Sequence, residues 1–330
     1  MSEFTMRGAR IAITGGTGTF GHAFTEYALG AGVERLVIVS RDEYKQAVMR
    51  QRFPVADAGP MRYFVGDVRD QARLMRAFRG VDTVIHAAAL KRVETCEYQA
   101  TEAAQTNVKG TINVLLAAHV AGVKRVLLLS TDKAVQPINT YGATKMLAER
   151  LVTAFNEECG HEMTCSAVRY GNVAGSRGSV IEAWTRQQKA GLPLTITNPK
   201  ATRFWMTKQD AVDLVHVALG TMRGGEVFVR ECVSSRLGDA AASLHPGALH
   251  TVSQLGAGEK LHEVLLSPEE MVAKRCIQWS PDVAAILPSW SKSTDPALEP
   301  GWSWRSDWAP RLLPAGEELR EILLGKEPGT

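Results

Sequence analysis

Arg10-Ile11-Ala12-Ile13-Thr14-Gly15-Gly16-Thr17-Gly18-Thr19-Phe20-Gly21 is the stretch from which the rest of the chain is read. An apolar run of strand type ends in glycines spaced G-x-x-G-x-x-G, and a helix is expected directly after them. Glycines at such a junction let backbone approach a pyrophosphate at a helix N-terminus, where free N–H groups and aligned peptide dipoles favour negative charge. Gly15, Thr17, Gly18, Thr19, Phe20 and Gly21 are therefore candidate dinucleotide contacts. The spacing alone also fits a tight turn with no ligand, so the surroundings decide.

Those surroundings repeat the same alternation. Strands are expected at Ile11-Ala12-Ile13-Thr14, Leu36-Val37-Ile38-Val39, Tyr63-Phe64-Val65, Thr83-Val84-Ile85-His86, Val126-Leu127-Leu128-Leu129 and Ala167-Val168-Arg169-Tyr170. Stretches of helical period lie between them, among them 113–120 and 143–155, the latter expected to cover the sheet with Met146, Leu147, Leu151 and Phe155. Strand and helix in alternation read as an α/β fold, a Rossmann-type doubly wound parallel sheet with a smaller C-terminal substrate-binding domain. The dinucleotide-binding domain is expected over 1–172, rejoined by about 203–231 through a helix at 210–219 and a strand at 226–230. Residues 173–202 and 232–330 are left for the second domain and tail, which ends in a helical stretch at 317–324. Trp290, Trp302, Trp304 and Trp308 in that tail read as packing or subunit contact.

Composition narrows the functional classes. With 330 residues, 45% of them hydrophobic, the chain can bury a full core. Its 38 basic and 35 acidic residues are spread evenly, which argues against a phosphate-backbone footprint and hence against nucleic acid as a partner. No apolar run nears the roughly 20 residues that span a bilayer, and residues 1–10 lack a signal-peptide core, so no membrane and a cytoplasmic location are expected. Five cysteines without paired spacing (Cys96, Cys159, Cys165, Cys232, Cys276) read as buried thiols, and the eight histidines show no metal-ligand spacing.

The end of the second strand addresses the cofactor. A dinucleotide fold reads the adenosine ribose there, and Ser40, Arg41 and Lys45 are groups that pair with a 2′-phosphate. NADP is favoured over NAD on that ground, while Asp42 keeps NAD open. Asp67 and Val68 after the third strand suit the adenine edge, and Ala87, Ala88 and Ala89 after the fourth are small enough to pass beside the cofactor.

After the fifth strand come Ser130-Thr131-Asp132-Lys133, then Tyr141 and, one helical turn on, Lys145. Tyr141 is the one tyrosine in the chain with lysine four residues later, a spacing that puts both side chains on one helix face. There the ammonium is expected to lower the phenol's pKa so that it takes a hydroxyl proton during alcohol oxidation. Asp132 and Lys133 supply an acid and a base beyond what oxidation alone requires, the pair an elimination of water needs. An Asp-Lys turn capping a helix is the plainer alternative.

Longer blocks complete the picture: Ser40-Arg41-Asp42-Glu43, Gly66-Asp67-Val68-Arg69-Asp70, His86-Ala87-Ala88-Ala89-Leu90-Lys91, Ser130-Thr131-Asp132-Lys133-Ala134-Val135, Tyr141-Gly142-Ala143-Thr144-Lys145, Arg169-Tyr170-Gly171-Asn172-Val173, Ser176-Arg177-Gly178-Ser179-Val180, Thr202-Arg203-Phe204-Trp205 and Gly258-Glu259-Lys260-Leu261-His262-Glu263. In this order, from residue 11 to about 270, they resemble the configuration-inverting UDP-N-acetylglucosamine 4,6-dehydratases of the extended short-chain dehydrogenase superfamily. The resemblance implies that Tyr141 takes the C4 hydroxyl proton while hydride goes to NADP, tightly bound and recycled. It further implies that Lys133 removes the C5 proton and Asp132 protonates the leaving C6 oxygen, with Thr131 and Lys145 in the same site. Lys91 would serve both ligands, and Asn172, Arg177, Ser179, Val180, Thr195, Arg203, Glu259 and Lys260 would hold the nucleotide sugar. A homo-oligomer is also implied. The family's Arg-Pro before Gly-Glu-Lys is Gly256-Ala257 here, which leaves the nucleotide open. A nucleotide-sugar epimerase, a dehydratase that retains C5 and a catalytically idle NADP-binding regulator are the competing readings.

Overall fold

A computed structural model describes residues 4–56, 59–272, 275–291, 304–309 and 311–326. Its first six strands are β1 (Arg10–Thr14), β2 (Arg35–Ser40), β3 (Met61–Val65), β4 (Thr83–His86), β5 (Arg125–Leu129) and β6 (Thr164–Arg169). Shorter strands follow: β7 (Asn172–Val173), β8 (Leu194–Ile196), β9 (Thr202–Met206), β10 (Val227–Arg230), β11 (Val233–Arg236), β12 (His250–Val252), β13 (Val264–Leu266), β14 (Cys276–Ser280), β15 (Val283–Ile286) and β16 (Trp304–Arg305). The helices are α1 (Thr19–Gly30), α2 (Glu43–Arg52), α3 (Gln71–Ala77), α4 (Val93–Tyr98), α5 (Ala100–Ala103), α6 (Gly110–Val120), α7 (Thr140–Glu158), α8 (Val180–Lys189), α9 (Lys208–Thr221), α10 (Leu237–Leu244), α11 (Pro268–Val272) and α12 (Glu317–Leu323).

Nine strands form one sheet in the order β14-β15-β10-β6-β5-β4-β1-β2-β3. From β3 to β10 all neighbours are parallel, and β15 and β14 close the edge antiparallel. Alternate residues along each strand serve opposite faces. Ala12, Val37, Val39, Val84, Val126 and Leu128 face α3, α6 and α7 through Leu74, Phe78, Val114, Leu115, Ala148 and Val152. Ile11, Ile13, Leu36, Ile38, Ile85 and Leu127 face α1, α2 and α9 through Phe24, Ala28, Met49, Val212, Val215 and Leu219. With helices on both faces, the strands read as near-continuous apolar runs, which is why they stand out in the sequence. A separate core of Trp184, Ile196, Trp205, Leu237, Leu319 and Ile322 lies under α8, α10 and α12.

Two expectations are corrected. On α7, Met146 and Leu147 are 38% and 45% exposed, and the covering row is Ala148, Val152 and Phe155 with Tyr141 and Lys145 buried beside it. Polar residues turn the helix: Glu149 and Asn156 are buried because Arg169 and the Cys165 backbone bond them, so apolarity alone finds Leu151 and Phe155 but misplaces Met146 and Leu147. The sixth strand begins at Thr164 and stops at Arg169, leaving Tyr170 outside it. In the tail Trp304 is buried, but Trp290 and Trp308 are exposed, and Trp302 lies outside the described residues. All five cysteines are free and buried. No helix of the described residues is long and apolar enough to cross a membrane.

Candidate active site

Parallel strands place their carboxyl ends on one side of the sheet, and the candidate residues gather there. Gly15 has φ +67°, and a Cβ on it would sit 2.8 Å from the Ala88 backbone. A Cβ on Gly21 would sit 2.0 Å from the Gly16 carbonyl oxygen, so α1 packs directly on the loop. Gly18 is the N-cap of α1 and brings no side chain to its first turn, which leaves that end to an anion. Thr19 Oγ1 accepts from the Arg177 amide at 3.3 Å, and Phe20 packs under the loop against both faces of the core. Thr17 Oγ1 and Ser40 Oγ are 2.9 Å apart, joining the loop to the end of β2. Space, backbone amides and small Ala87, Ala88 and Ala89 opposite make a cradle that fits a dinucleotide.

At the end of β2 the expected phosphate partners separate. Asp42 caps α2, accepting from the Lys45 amide at 2.9 Å, and its other oxygen lies 2.9 Å from Lys45 Nζ. Lys45 is thus engaged within its own helix turn. Arg41 remains more than half exposed, with its guanidinium 3.9 Å from Asp67, whose closer partner is Arg69 at 2.8 Å. Val68 is buried, and its carbonyl accepts from Asn113 Nδ2.

The catalytic candidates converge. Asp132 and Lys133 form a single tight turn after β5, and α7 begins so close that a Cβ on Gly142 would fall 2.1 Å from the Lys133 carbonyl oxygen. Asn139 caps α7 by accepting from the Gly142 amide at 2.7 Å, which fixes Tyr141 in the first turn. Asp132 is fully buried; its Oδ1 accepts from Thr131 Oγ1 at 2.9 Å and from Lys133 Nζ at 3.1 Å. Lys133 Nζ also lies 3.3 Å from Oε1 of buried Glu263. Burial works against the Lys133 charge, but the two carboxylates outweigh it and hold its pKa above the ordinary lysine range.

The expected depression of the Tyr141 pKa is not what the surroundings produce. Burial pushes the phenol up to about 12, opposed by the Lys133 charge and by a hydrogen bond with Thr131. Lys145 does not act on it, because its ammonium donates to the Leu129 carbonyl at 2.6 Å. Burial brings Lys145 itself down to about 8, with Glu149 resisting.

On the substrate side, the segment 258–269 runs along the catalytic turn. Asn139 Nδ2 donates to the Gly258 carbonyl at 2.7 Å, Lys260 Nζ to the Val135 carbonyl at 2.6 Å, and Gln136 Nε2 to Glu269 Oε2 at 3.0 Å. Gln136 has φ +43°, a left-handed strain held by these contacts. Arg203 is buried, bonded to Glu259 Oε1 at 3.0 Å and to the Thr202 carbonyl at 2.8 Å. Burial lowers the Lys91 pKa, with the Arg92 charge adding to the effect and the Glu182 charge opposing it. Asn172 is half-buried on β7 and Arg177 is exposed. Ser179 caps α8, Val180 begins it and packs on the second core, and Thr195 exchanges hydrogen bonds with Gln187. Arg203, Glu259 and Lys260 therefore stand together beside the catalytic turn, whereas the Ser179 and Thr195 hydroxyls are held by α8.

Two residues were not given roles from the sequence. Asn107 lies in a widened helical turn, Ala104–Lys109; its amide accepts from the Leu90 amide at 2.8 Å and donates to Thr144 Oγ1 at 3.0 Å, tying the loop after β4 to α7. Nothing in the local sequence marks that turn. Glu263 had a signal: it directly precedes the apolar run Val264-Leu265-Leu266, where a carboxylate needs a partner.

Known proteins resemble this chain over most of its length. The family model described as "Polysaccharide biosynthesis protein" matches residues 11–280. A UDP-N-acetylglucosamine 4,6-dehydratase (inverting) of Campylobacter jejuni subsp. jejuni serotype O:2 is 44% identical over 263 residues, 79% of this chain and 78% of that protein. A UDP-glucose 4-epimerase of Rickettsia akari is 44% identical over 271 residues, again 79% of this chain and 78% of that protein. The X-ray structure of Pen from Bacillus thuringiensis superposes with a TM-score of 0.87 at 34% identity, covering 97% of this chain and 99% of that one. The chain belongs to the polysaccharide biosynthesis protein family, whose Rossmann-type fold it shares with relatives named as inverting UDP-N-acetylglucosamine 4,6-dehydratases and as UDP-glucose 4-epimerases.

Proposed function

We propose that this protein is an NADP-dependent 4,6-dehydratase acting on UDP-N-acetylglucosamine with inversion at C5. The observation that carries the reading is the buried Asp132–Lys133 turn set against Tyr141, because oxidation at C4 needs the phenol alone and loss of water needs the acid and the base as well. When bound, the nicotinamide accepts hydride from C4 and returns it to C6. Tyr141 takes the proton of the C4 hydroxyl, helped by Thr131 and by the charge of Lys133. The C4 ketone acidifies C5–H; Lys133 removes that proton and Asp132 protonates the departing C6 oxygen. A solvent-derived proton added to C5 from the opposite face gives a UDP-4-keto-6-deoxy-hexosamine.

Arg41 and Ser40 at the end of β2 support NADP, since Asp42 is turned into the cap of α2 rather than left for ribose hydroxyls. On this reading Arg203 and Lys260 exchange their bonds to Glu259 and the Val135 carbonyl for the diphosphate of the substrate. The names of relatives favour epimerisation as well. Epimerisation at C4 leaves the Asp132–Lys133 turn without a task, and a regulator would leave Tyr141 and Lys145 without one.

Two substitutions test the division of labour. Tyr141→Phe is expected to abolish reduction of bound NADP on adding the sugar, a loss of at least about a hundredfold. Lys133→Ala, which also removes a charge that favours the Tyr141 phenolate, is expected to slow that first reduction far less than it slows keto-deoxy-sugar formation, which falls by about a hundredfold or more. Normal cofactor reduction in the tyrosine variant, or normal dehydration in the lysine variant, overturns the assignment.

A further inference from the structure

Lys133 carries more negative charge around it than an Asp–Lys pair supplies, and the excess comes from Glu263. Nζ sits between Asp132 Oδ1 at 3.1 Å and Glu263 Oε1 at 3.3 Å. The far oxygens, Asp132 Oδ2 and Glu263 Oε2, are buried and have no hydrogen-bond partner among the described residues. Two half-satisfied carboxylates on one ammonium are expensive in a buried site, which suits a functional site better than a structural one. Glu263 is also fixed from behind. Its N–H donates to Ser306 Oγ at 2.8 Å, its carbonyl accepts from the Ser306 amide at 2.9 Å, and Arg203 Nε lies 4.0 Å from Oε1.

We propose that Glu263 is a positioning residue for the elimination: it keeps hold of Lys133 Nζ while that nitrogen passes a proton to Asp132, so that one transfer creates both the base for C5 and the acid for the C6 oxygen. The inference rests on the dehydratase reading above. The ammonium N–H bond breaks and an O–H bond forms on Asp132, with no change in electron count. The amine lone pair then takes the C5 proton, and the C–H electron pair moves into the enolate of the C4 ketone. As the C6–O bond breaks, the proton on Asp132 leaves with that oxygen as water. Lys133 and Asp132 finish in the charge states in which they began. A neutral lysine without a second acceptor is free to swing; Glu263, anchored on an element outside the 132–134 turn, keeps the lone pair aimed.

Charge supplies the test. Lys133 faces Asp132 in its own turn, Glu263 from the segment before β13, Arg203 from β9, Tyr141 from α7 and Lys260. Removing the Glu263 charge lets Lys133 lose its proton at lower pH. The readouts are reduction of bound NADP by UDP-N-acetylglucosamine and deuterium incorporation at C5 in heavy water across a pH series. Glu263→Gln is expected to slow C5 exchange by tenfold or more, and more than it slows cofactor reduction, with the falling alkaline limb of the exchange profile, where the pair loses its proton to solvent, displaced to lower pH. Glu263→Asp, which retains the charge, is expected to bring the limb back to the wild-type position. A limb that does not move in the glutamine variant, or equal slowing of reduction and exchange, overturns the proposal while leaving dehydration intact. Absence of C5 exchange in the wild-type protein removes the dehydratase reading, and this inference with it.

Discussion

At the scale of single residues, the proposed preference for NADP rests on one guanidinium. Lys45 is occupied by Asp42, so Arg41 is the cation at the end of β2 with room to turn toward a 2′-phosphate. A charge-assisted bond of this kind contributes about 1.5–3 kcal/mol. Arg41→Ala is accordingly expected to weaken NADP binding roughly tenfold to a hundredfold and to leave NAD within about a factor of two. Fluorescence titration of both nucleotides checks this, and an equal loss for the two assigns Arg41 no part in reading the phosphate. The candidate residues legible in the sequence were those whose placement depends on chain-local geometry: Tyr141 and Lys145 one helical turn apart, Asp132 beside Lys133, the glycines between strand and helix. Glu263 lies 130 residues beyond Lys133, and only folding reveals that the two are paired. The pKa of Tyr141 was misjudged for a related reason, since spacing shows which groups share a helix face but not that Lys145 bends to a strand carbonyl.

At the scale of elements, buried polar bonds decide how the pieces meet. Arg169 at the end of β6 is bonded to Glu149 on α7 at 2.7 Å and to Glu270 on α11 at 3.0 Å, so the helix carrying Tyr141 and the segment carrying Glu263 share one guanidinium. This is why the buried face of α7 was only partly legible: its apolar period was visible, but a buried glutamate was not. His86 at the end of β4 is a second such joint. Its Nε2 faces Thr111 Oγ1 at 3.1 Å, and Thr111 donates its own proton to the Asn107 carbonyl, so Nε2 is the donor and Nδ1 accepts from Thr14 at 2.7 Å. Burial pushes the imidazole down from 6.5 to about 3. The unfolded chain therefore binds a proton that the folded protein refuses, and stability present above pH 6.5 is lost as pH falls toward 3. This one group contributes a slope of about 1.4 kcal/mol per pH unit. Urea unfolding of wild type and His86→Gln between about pH 5 and 6, above most carboxylate titrations, is expected to differ in slope by about that amount. Equal slopes contradict a neutral, buried His86.

At the scale of the whole molecule, the site is made where distant parts of the chain close over the carboxyl ends of the sheet. The parallel order from β3 to β10 was readable because strands covered on both faces are nearly uniform in apolarity. The antiparallel edge formed by β15 and β14 was not, for those strands come after a long irregular stretch and carry polar residues such as Gln278. The two-residue β16 also escaped sequence reading, yet with Ser306 it anchors Glu263. Because relatives at equal identity are named as dehydratases and as epimerases, the overall fold leaves the reaction to be decided by the chemistry at C5. Incubation with UDP-N-acetylglucosamine in heavy water, followed by mass and NMR analysis of the sugar, reads that chemistry directly. A 4-keto-6-deoxy product that has lost one water and carries deuterium at C5 is expected; an epimer of unchanged composition with protium at C5 contradicts the account.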